Sequence, residues 1–407
     1  MPPRLKILGV GYRVPVPVRD GGNVRAHGYL RELGRRHDVH YLCRADRPAP
    51  EAEQALSGLC RSAEIFADPQ TVDWKARLRS LGGGFPLGVI TPAHAFFRRV
   101  RDVLARGSFD LVYPMGADAG LLAAAAVATT PVVWDLCDCT SRYYDRQARR
   151  EGSPIRALWY RAQASRYRRL ERTVLGRDLA VVVASPSEAT ALRGGNGGGA
   201  DRIHVLPTGV HLPALTVPSA DRPSLVFTGT LSYPPNADAV RHFCRDVWPT
   251  IRRERPDVRL AIVGDGASRE LVSACGVASG VEFLGFVPDV FEVLQRATLF
   301  VCPMRQGTGI KVKLLEAMAC GLPAVASPIA VEGMPDARDG VHLRVARSAE
   351  DFARDVVTLL GDKEERARLG AHGRELAAGY AWDRLGERLD RLCREEVARR
   401  LTGAGVR

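Results

Sequence analysis

Residues 300–334 read FVCPMRQGTGIKVKLLEAMACGLPAVASPIAVEGM, and the fold is decided here. The apolar run 299–302 has no polar alternation, as in a strand buried on both faces. A loop with Gly307, Thr308 and Gly309 follows. The spacing then predicts a helix over 310–319, stopped by Cys320-Gly321 with Pro323 beyond. Strand end, glycines and helix N-terminus make an anion site: N–H groups are open there and the helix dipole favours negative charge. Lys311 and Lys313 fall in the first turn, where cations are unfavourable. A bound diphosphate would account for both. The other reading has both lysines solvated, with Glu316 paired to one of them. Glu316, one turn on, can face the same ligand and accept hydrogen bonds from ribose hydroxyls, as acidic residues do in dinucleotide sites.

Outward from this segment, similar apolar runs recur at 5–10, 39–43, 111–115, 132–136 and 179–184. After a gap they resume at 225–228, 259–263, 281–286 and 324–326. Helix-like stretches, such as 25–36 and 237–253, lie between most of them. Alternating β and α predicts an α/β fold with parallel sheets flanked by helices. The stretch 212–224 has three prolines and no periodicity, and marks the domain break. Gly-rich 194–199, just before it, reads as a mobile loop. The expected architecture is two doubly wound domains facing across a cleft: 1–215, 216–380, and a final helix 381–407 that begins at Trp382. In such sheets ligands bind beyond the carboxyl ends of the strands.

The chain has 407 residues, 46% hydrophobic and 26% charged, which excludes a disordered, collagenous or mainly coiled-coil protein. The longest near-apolar run, 121–134, is broken by Thr129, Thr130 and Pro131, short of a membrane span. The N-terminus lacks the apolar core of a signal peptide, so a soluble cytoplasmic protein is expected. Nine scattered cysteines, with a lone Cys137-x-Cys139 and no second pair at zinc spacing, read as reduced structural thiols. Net charge is +12, but only five of the 58 basic residues are lysines (Lys6, Lys75, Lys311, Lys313 and Lys363). Such arginine bias points to a GC-rich genome and makes two lysines close together informative. The positive balance favours anionic partners.

The segment 307–327, GTGIKVKLLEAMACGLPAVAS, closely resembles the donor-nucleotide motif of retaining GT-B glycosyltransferases of family 4, and most resembles the exopolysaccharide-associated branch. Other matching pieces occur in order. They are Gly21-Gly22 with the helix after them, 206–210 (LPTGV), 226–230 (VFTGT), 260–266 (LAIVGDG) and 281–288 (VEFLGFVP). The final helix is similar to the one that crosses back to the first domain in this fold. The resemblance implies that Glu316 binds the donor ribose. It implies that the basic residues Lys311, Lys313 and Arg305 serve the diphosphate, that Phe286 and Val287 contact the base, and that Thr308, Gly309 and Ile310 also bind the donor. Gly229, Gly21 and Gly22 are counted with the donor-binding residues.

Two departures from the family pattern stand out. Thr308 occupies a position where many members carry Glu, and the loop 229–236 (GTLSYPPN) has no basic residue. Diphosphate charge then falls to Lys311, Lys313 and Arg305. On the first domain, many members carry a His after the strand at 132–136; here Asp135 or Asp138 is expected to take the polar role, as acceptor-orienting or catalytic carboxylate, or else as a helix cap or loop carboxylate. The acceptor is expected near Gly21-Gly22 and 135–141.

The expected activity is transfer of a sugar from a nucleotide-diphosphate sugar to an acceptor hydroxyl, with Lys311 and Glu316 in catalytic positions, no metal and no other cofactor. Alternatives on the same fold are a nucleotide-sugar epimerase, a pseudo-glycosyltransferase, or a nucleotide-binding module without turnover. An NAD-dependent enzyme is disfavoured, because Gly9-Val10-Gly11 lacks the third glycine of GxGxxG. The acceptor is undefined: a glycan, a lipid-linked molecule or a secondary metabolite, with an anionic one favoured by the charge, and no nucleic acid is expected. The segment 142–177 has eleven arginines and few acids, and reads as a solvated helix or as a peripheral membrane contact.

Overall fold

The structure is a computed structural model and describes residues 2–11, 13–18, 21–47, 50–67, 94–195, 200–215, 223–276 and 280–403. Parts of 194–199 and of 212–224 therefore lie outside the described residues. The chain divides into two units, Met1–Pro207 with Asp383–Arg407, and Thr208–Trp382. The sequence reading set these boundaries at 215/216 and 380/381. The structure has 208–212 with the second unit, where Val210 N–H donates to Tyr380 O (2.9 Å).

The first unit is built on a seven-stranded parallel sheet of order β3-β2-β1-β4-β5-β6-β7. Its strands are β1 Lys6–Gly11, β2 Asp38–Ala45, β3 Ser62–Ala67, β4 Leu111–Met115, β5 Val133–Cys137, β6 Ala180–Val183 and β7 Ile203–Val205. The second unit carries a six-stranded parallel sheet of order β10-β9-β8-β11-β12-β13. These are β8 Ser224–Thr228, β9 Arg259–Val263, β10 Val281–Gly285, β11 Leu299–Cys302, β12 Ala324–Ala326 and β13 Arg344–Val345. Strand order reverses between β1 and β4 and again between β8 and β11. Such switch points open a crevice at the carboxyl ends of the strands.

Central strands β4, β6, β11 and β12 are buried throughout, as their Val/Ile/Leu-rich runs require. β3, β7 and β13 were not anticipated. They lie at sheet edges, where one side is open and no apolar run is needed: β3 (SAEIFA) has one fully buried residue. The single helix expected over 237–253 is broken in three. Pro234–His242 is followed by a π turn, Phe243–Val247, and then Trp248–Glu254. Pro249 explains this: it has no N–H and crowds the preceding turn, so one extra residue is looped out before it.

All nine cysteines are free thiols. Among the described residues, no helix is long and apolar enough to cross a membrane.

Gly209 lies against the buried Trp382 ring: a Cβ there would meet Trp382 Cδ2 at 2.6 Å. Gly209→Ala is therefore expected to lower unfolding free energy by about 1–3 kcal/mol, measured by urea denaturation. An unchanged midpoint would contradict this packing.

Candidate active site

At the switch point of the second unit, the ends of β8 and β11 lie side by side, with Leu225 opposite Leu299 and Val226 opposite Phe300. Beyond β8 comes Gly229, with φ of 149°. After β11 the chain forms the loop 303–311, in which Gly307 (φ 117°) and Gly309 (φ 62°) take conformations that side chains resist. The helix begins at Val312, not at 310, and runs Val312–Ala319. Lys311 is its N-cap, in extended conformation and without a side-chain cap bond. Its ammonium turns back instead, donating to Thr308 O (3.0 Å) and Gly309 O (2.9 Å), and is 7% exposed. Lys311 thus fastens the loop to its own backbone. From the other side Gly333 supports it: a Cβ there would lie 2.6 Å from Gly309 C.

Lys313 stands between the two strand ends. Its ammonium donates to Asn236 Oδ1 (2.7 Å) and lies 4.3 Å from the Phe227 ring centre. Any side chain at Gly229 would collide with it. Asn236 in turn donates to Thr230 O (2.8 Å), which ties the lysine to the Gly229–Thr230 turn. Burial pulls the Lys313 ammonium down to about 8, against the opposing pull of Cys302 and Glu316. Burial pushes the Glu316 carboxyl up to about 7, partly offset by Lys313.

The signs are unfavourable for folding in both cases. Stability contributed by Glu316 falls as pH rises from the usual carboxyl range to about 7. Stability contributed by Lys313 rises only above about 8. Between those values both groups are charged and incompletely solvated, a pattern that recurs at ligand-binding sites and in structural charge networks alike.

The remaining donor-side residues are arranged around these two. Arg305 is exposed and pairs with Asp238, with Nε to Oδ2 at 3.1 Å. The backbones of Thr308 and Gly309 are held by Lys311, and Ile310 packs on the core of the second unit. Phe286 is 69% exposed beyond β10, while Val287 packs on that core. Asn236 and Gly333 were missed by the sequence reading. Neither carries a charge or motif, and each matters only through a partner distant in sequence.

In the first unit, Gly21 and Gly22 open the helix Gly21–Arg36 and are exposed. Asp135 does not face a ligand. It lies inside β5, 2% exposed, and accepts from Arg25 Nη2 (2.7 Å), Arg25 Nε (2.9 Å) and the Tyr113 hydroxyl (3.1 Å). Arg25 also donates to Leu206 O (2.8 Å). This carboxylate serves the fold, because its lone pairs are taken up by neighbouring elements.

Asp138 lies past the strand, after Cys137 in left-handed conformation (φ 68°). It is not the cap of the following helix: that helix, Thr140–Arg150, has Cys139 at its N-cap. Its open N–H groups are met by two buried glutamates. Glu188 accepts from Cys139 N (2.8 Å), and Glu171 accepts from Ser141 N (3.0 Å). Burial and then the nearby Asp138 push the Glu188 carboxyl up, opposed by Arg142 and Arg146. Ser185 and Glu188 do have the spacing of a capping box, a signal in the sequence that went unread: Glu188 N–H donates to Ser185 Oγ (3.3 Å). A further carboxylate, Asp118, follows β4 at the first sheet's switch point. Burial lifts it to about 6 against the pull of Arg13 and Arg44. Among the described residues, no group of three or more His, Cys, Asp or Glu side chains is arranged to hold a metal ion.

Two family models match: the glycosyl transferase 4-like domain over residues 20–209, and glycosyl transferases group 1 over 222–362. The chain is a GT-B glycosyltransferase of family 4. Over 93% of both chains, this glycosyltransferase is 26% identical to a phosphatidyl-myo-inositol mannosyltransferase of Propionibacterium freudenreichii. It is 32% identical to a GDP-mannose-dependent monoacylated alpha-(1-6)-phosphatidylinositol monomannoside mannosyltransferase of Corynebacterium glutamicum, over 47% of this chain and 56% of that relative. Among solved structures, HepE of Anabaena in complex with UDP and glucose superimposes with a TM-score of 0.70 at 17% identity, covering 96% of this chain and 100% of that one. Sucrose-phosphate synthase of Thermosynechococcus elongatus gives 0.72 at 18% identity, covering 97% and 100%. These likenesses agree with the two parallel sheets found in the glycosyltransferase.

Asp135→Ala would leave the Arg25 guanidinium buried without its counter-charge. The expected cost is about 3–5 kcal/mol of stability, read by urea denaturation. A loss below about 1 kcal/mol, the value of an exposed pair, would show that the pair is not the hub described.

Proposed function

We propose that this glycosyltransferase moves a hexosyl group, with retention of configuration, from a nucleoside-diphosphate sugar to a hydroxyl of a lipid-linked acceptor. The observation that carries the reading is the placement of Lys313 at the β8/β11 switch point with Glu316 one turn on along the same helix. Each is shifted toward neutrality by burial, and each would be relieved by a ligand of matching polarity. A diphosphate answers the ammonium and ribose hydroxyls answer the carboxylate. As the bond from sugar to diphosphate breaks, negative charge grows on the phosphate oxygens. Lys313 and the start of the helix Val312–Ala319 stabilise that charge, and Lys311 keeps the loop N–H groups aimed at it.

Retention is what the family resemblance implies, with the acceptor attacking on the face the diphosphate leaves. Metal independence is part of the proposal, since the lysines and helix dipole supply the positive charge. Asp138, beyond β5, is the proposed carboxylate for the acceptor hydroxyl. The lipid-linked acceptor is supported by the mannosyltransferase relatives, whose names specify phosphatidylinositol substrates. The nucleotide donor is supported by HepE, which is described with UDP-glucose. The arginine-rich segment 142–177 is the proposed region of peripheral membrane contact.

A panel of UDP, GDP, ADP and TDP tests the donor site by thermal shift, since a ligand at 100 times its dissociation constant adds about 2.7 kcal/mol. The affinity of the stabilising nucleotide should follow a bell in pH. It rises as the Glu316 carboxyl ionises near 7 and falls as Lys313 loses its proton above about 8. Lys313→Ala should weaken binding about ten- to a hundred-fold and abolish the alkaline fall. A flat profile in the wild type, or full affinity in the variant, would overturn the assignment. Turnover, read as acceptor-dependent release of nucleoside diphosphate, should survive EDTA. Loss of turnover restored by Mg²⁺ or Mn²⁺ would refute the metal-free mechanism.

A further inference from the structure

The helix Pro154–Leu175 is longer than the sheet it covers. Its 22 residues span about 33 Å, whereas the five residues of β5 span about 17 Å. Only its C-terminal half is needed by the core, through Tyr167, Leu170, Val174 and Leu175. The N-terminal half therefore projects beyond the carboxyl ends of the strands. There it pairs with the helix Thr140–Arg150, which rises from the end of β5. The two form a hairpin turning at 151–153. Ala148 and Ala157 are buried between them, and Tyr144 stacks on Tyr167 with ring centres 5.3 Å apart.

At the tip of this hairpin, Ile155 is 82% exposed, Leu158 66% and Trp159 47%. Their spacing of three and four places them on one helix face. Trp159 is held at a fixed angle by edge contacts to Tyr144 (6.0 Å) and Tyr160 (5.1 Å). Around them Arg149, Arg150, Arg156 and Arg161 are exposed. The one acid at the turn, Glu151, is drawn to Arg156 and to Ser153 N–H. A protruding apolar wedge with a tryptophan and a collar of cations matches the layered polarity of an anionic bilayer. Apolar side chains enter the acyl boundary, the indole rests at headgroup level, and guanidinium groups meet phosphates.

We propose that this tip docks the protein on an anionic lipid surface, inserting Ile155, Leu158 and Trp159. The proposal rests on the lipid-linked acceptor reading and gives it a geometry. The tip lies on the side of the first sheet that carries Asp138 and Asp118, so a lipid headgroup would be presented to that edge.

Flotation of the full-length chain with phosphatidylcholine vesicles, with and without phosphatidylglycerol, tests it. The wild type should float with the anionic vesicles, and less so at high salt. A variant combining Ile155→Ser, Leu158→Ser and Trp159→Ser should lose at least about ten-fold in partitioning. A second, combining Arg149→Gln, Arg150→Gln, Arg156→Gln and Arg161→Gln, should lose the preference for anionic lipid. Both should keep the wild-type thermal shift with nucleoside diphosphate. A wild type that does not float, a serine variant that floats equally well, or a tip that only mediates self-association in sedimentation would each overturn the proposal. The readouts are separable: absence of nucleotide binding with flotation intact removes the transfer reading and leaves the docking surface, and the converse removes the docking surface alone.

Discussion

Partial burial of one ammonium and one carboxylate at the end of a parallel sheet is the constraint around which the donor-side loop of the second unit is organised. Lys313 and Glu316 sit on one short helix and are half-buried, Lys313 against the ends of β8 and β11. A charge in such a place needs partners. Lys313 has Asn236, the Phe227 ring and the distant attraction of Glu316. Nearby features follow from this demand. Gly229 must lack a side chain so that the ammonium fits, and Asn236 must be anchored to Thr230 so that its oxygen points at the lysine.

The first unit is held at its centre by a charge pair of the opposite kind. Arg25 and Asp135 are fully engaged with each other and with Leu206 O and Tyr113, so the helix Gly21–Arg36, β4, β5 and the chain after β7 meet at one point. The Arg25–Asp135 pair is complete and structural; Lys313 and Glu316 form no such pair with each other. The contrast lies both in the number of hydrogen bonds each group has found and in depth of burial: Arg25 and Asp135 are buried, Lys313 and Glu316 half-buried.

Much of this was legible. Nine of the ten strands read from sequence are central ones, whose apolar runs survive without knowledge of neighbours; the tenth, β10, is an edge strand with no fully buried residue. The three that escaped are edge strands, whose residues answer to solvent as much as to the core. The lysine pair stood out because lysine is scarce in this chain, and Glu316 through its place one turn on and the family resemblance. Their separate tasks were not. Lys311 caps loop carbonyls while Lys313 faces the strand ends, and two residues of the same type two positions apart cannot be told apart before the loop is built. Asp135 looked like a polar group at a strand end, yet Arg25, 110 positions away, had already claimed it. Glu188 and Glu171 act on a helix start from other helices, which local sequence does not report.

The bond from Lys311 to the carbonyls of Thr308 and Gly309 has a consequence for how this sequence can drift. Arginine supplies all but five of the 58 basic residues of this chain. Where a cation only faces water, exchange of lysine for arginine is neutral. A planar guanidinium is broader than an ammonium and delivers its protons in a fixed fork. It would not fit a pocket where a single nitrogen reaches two successive carbonyls beside Gly307, whose own Cβ would come within 3.3 Å of the lysine stem. Position 311 is thus a point where arginine, the usual cation of this chain, meets a steric limit.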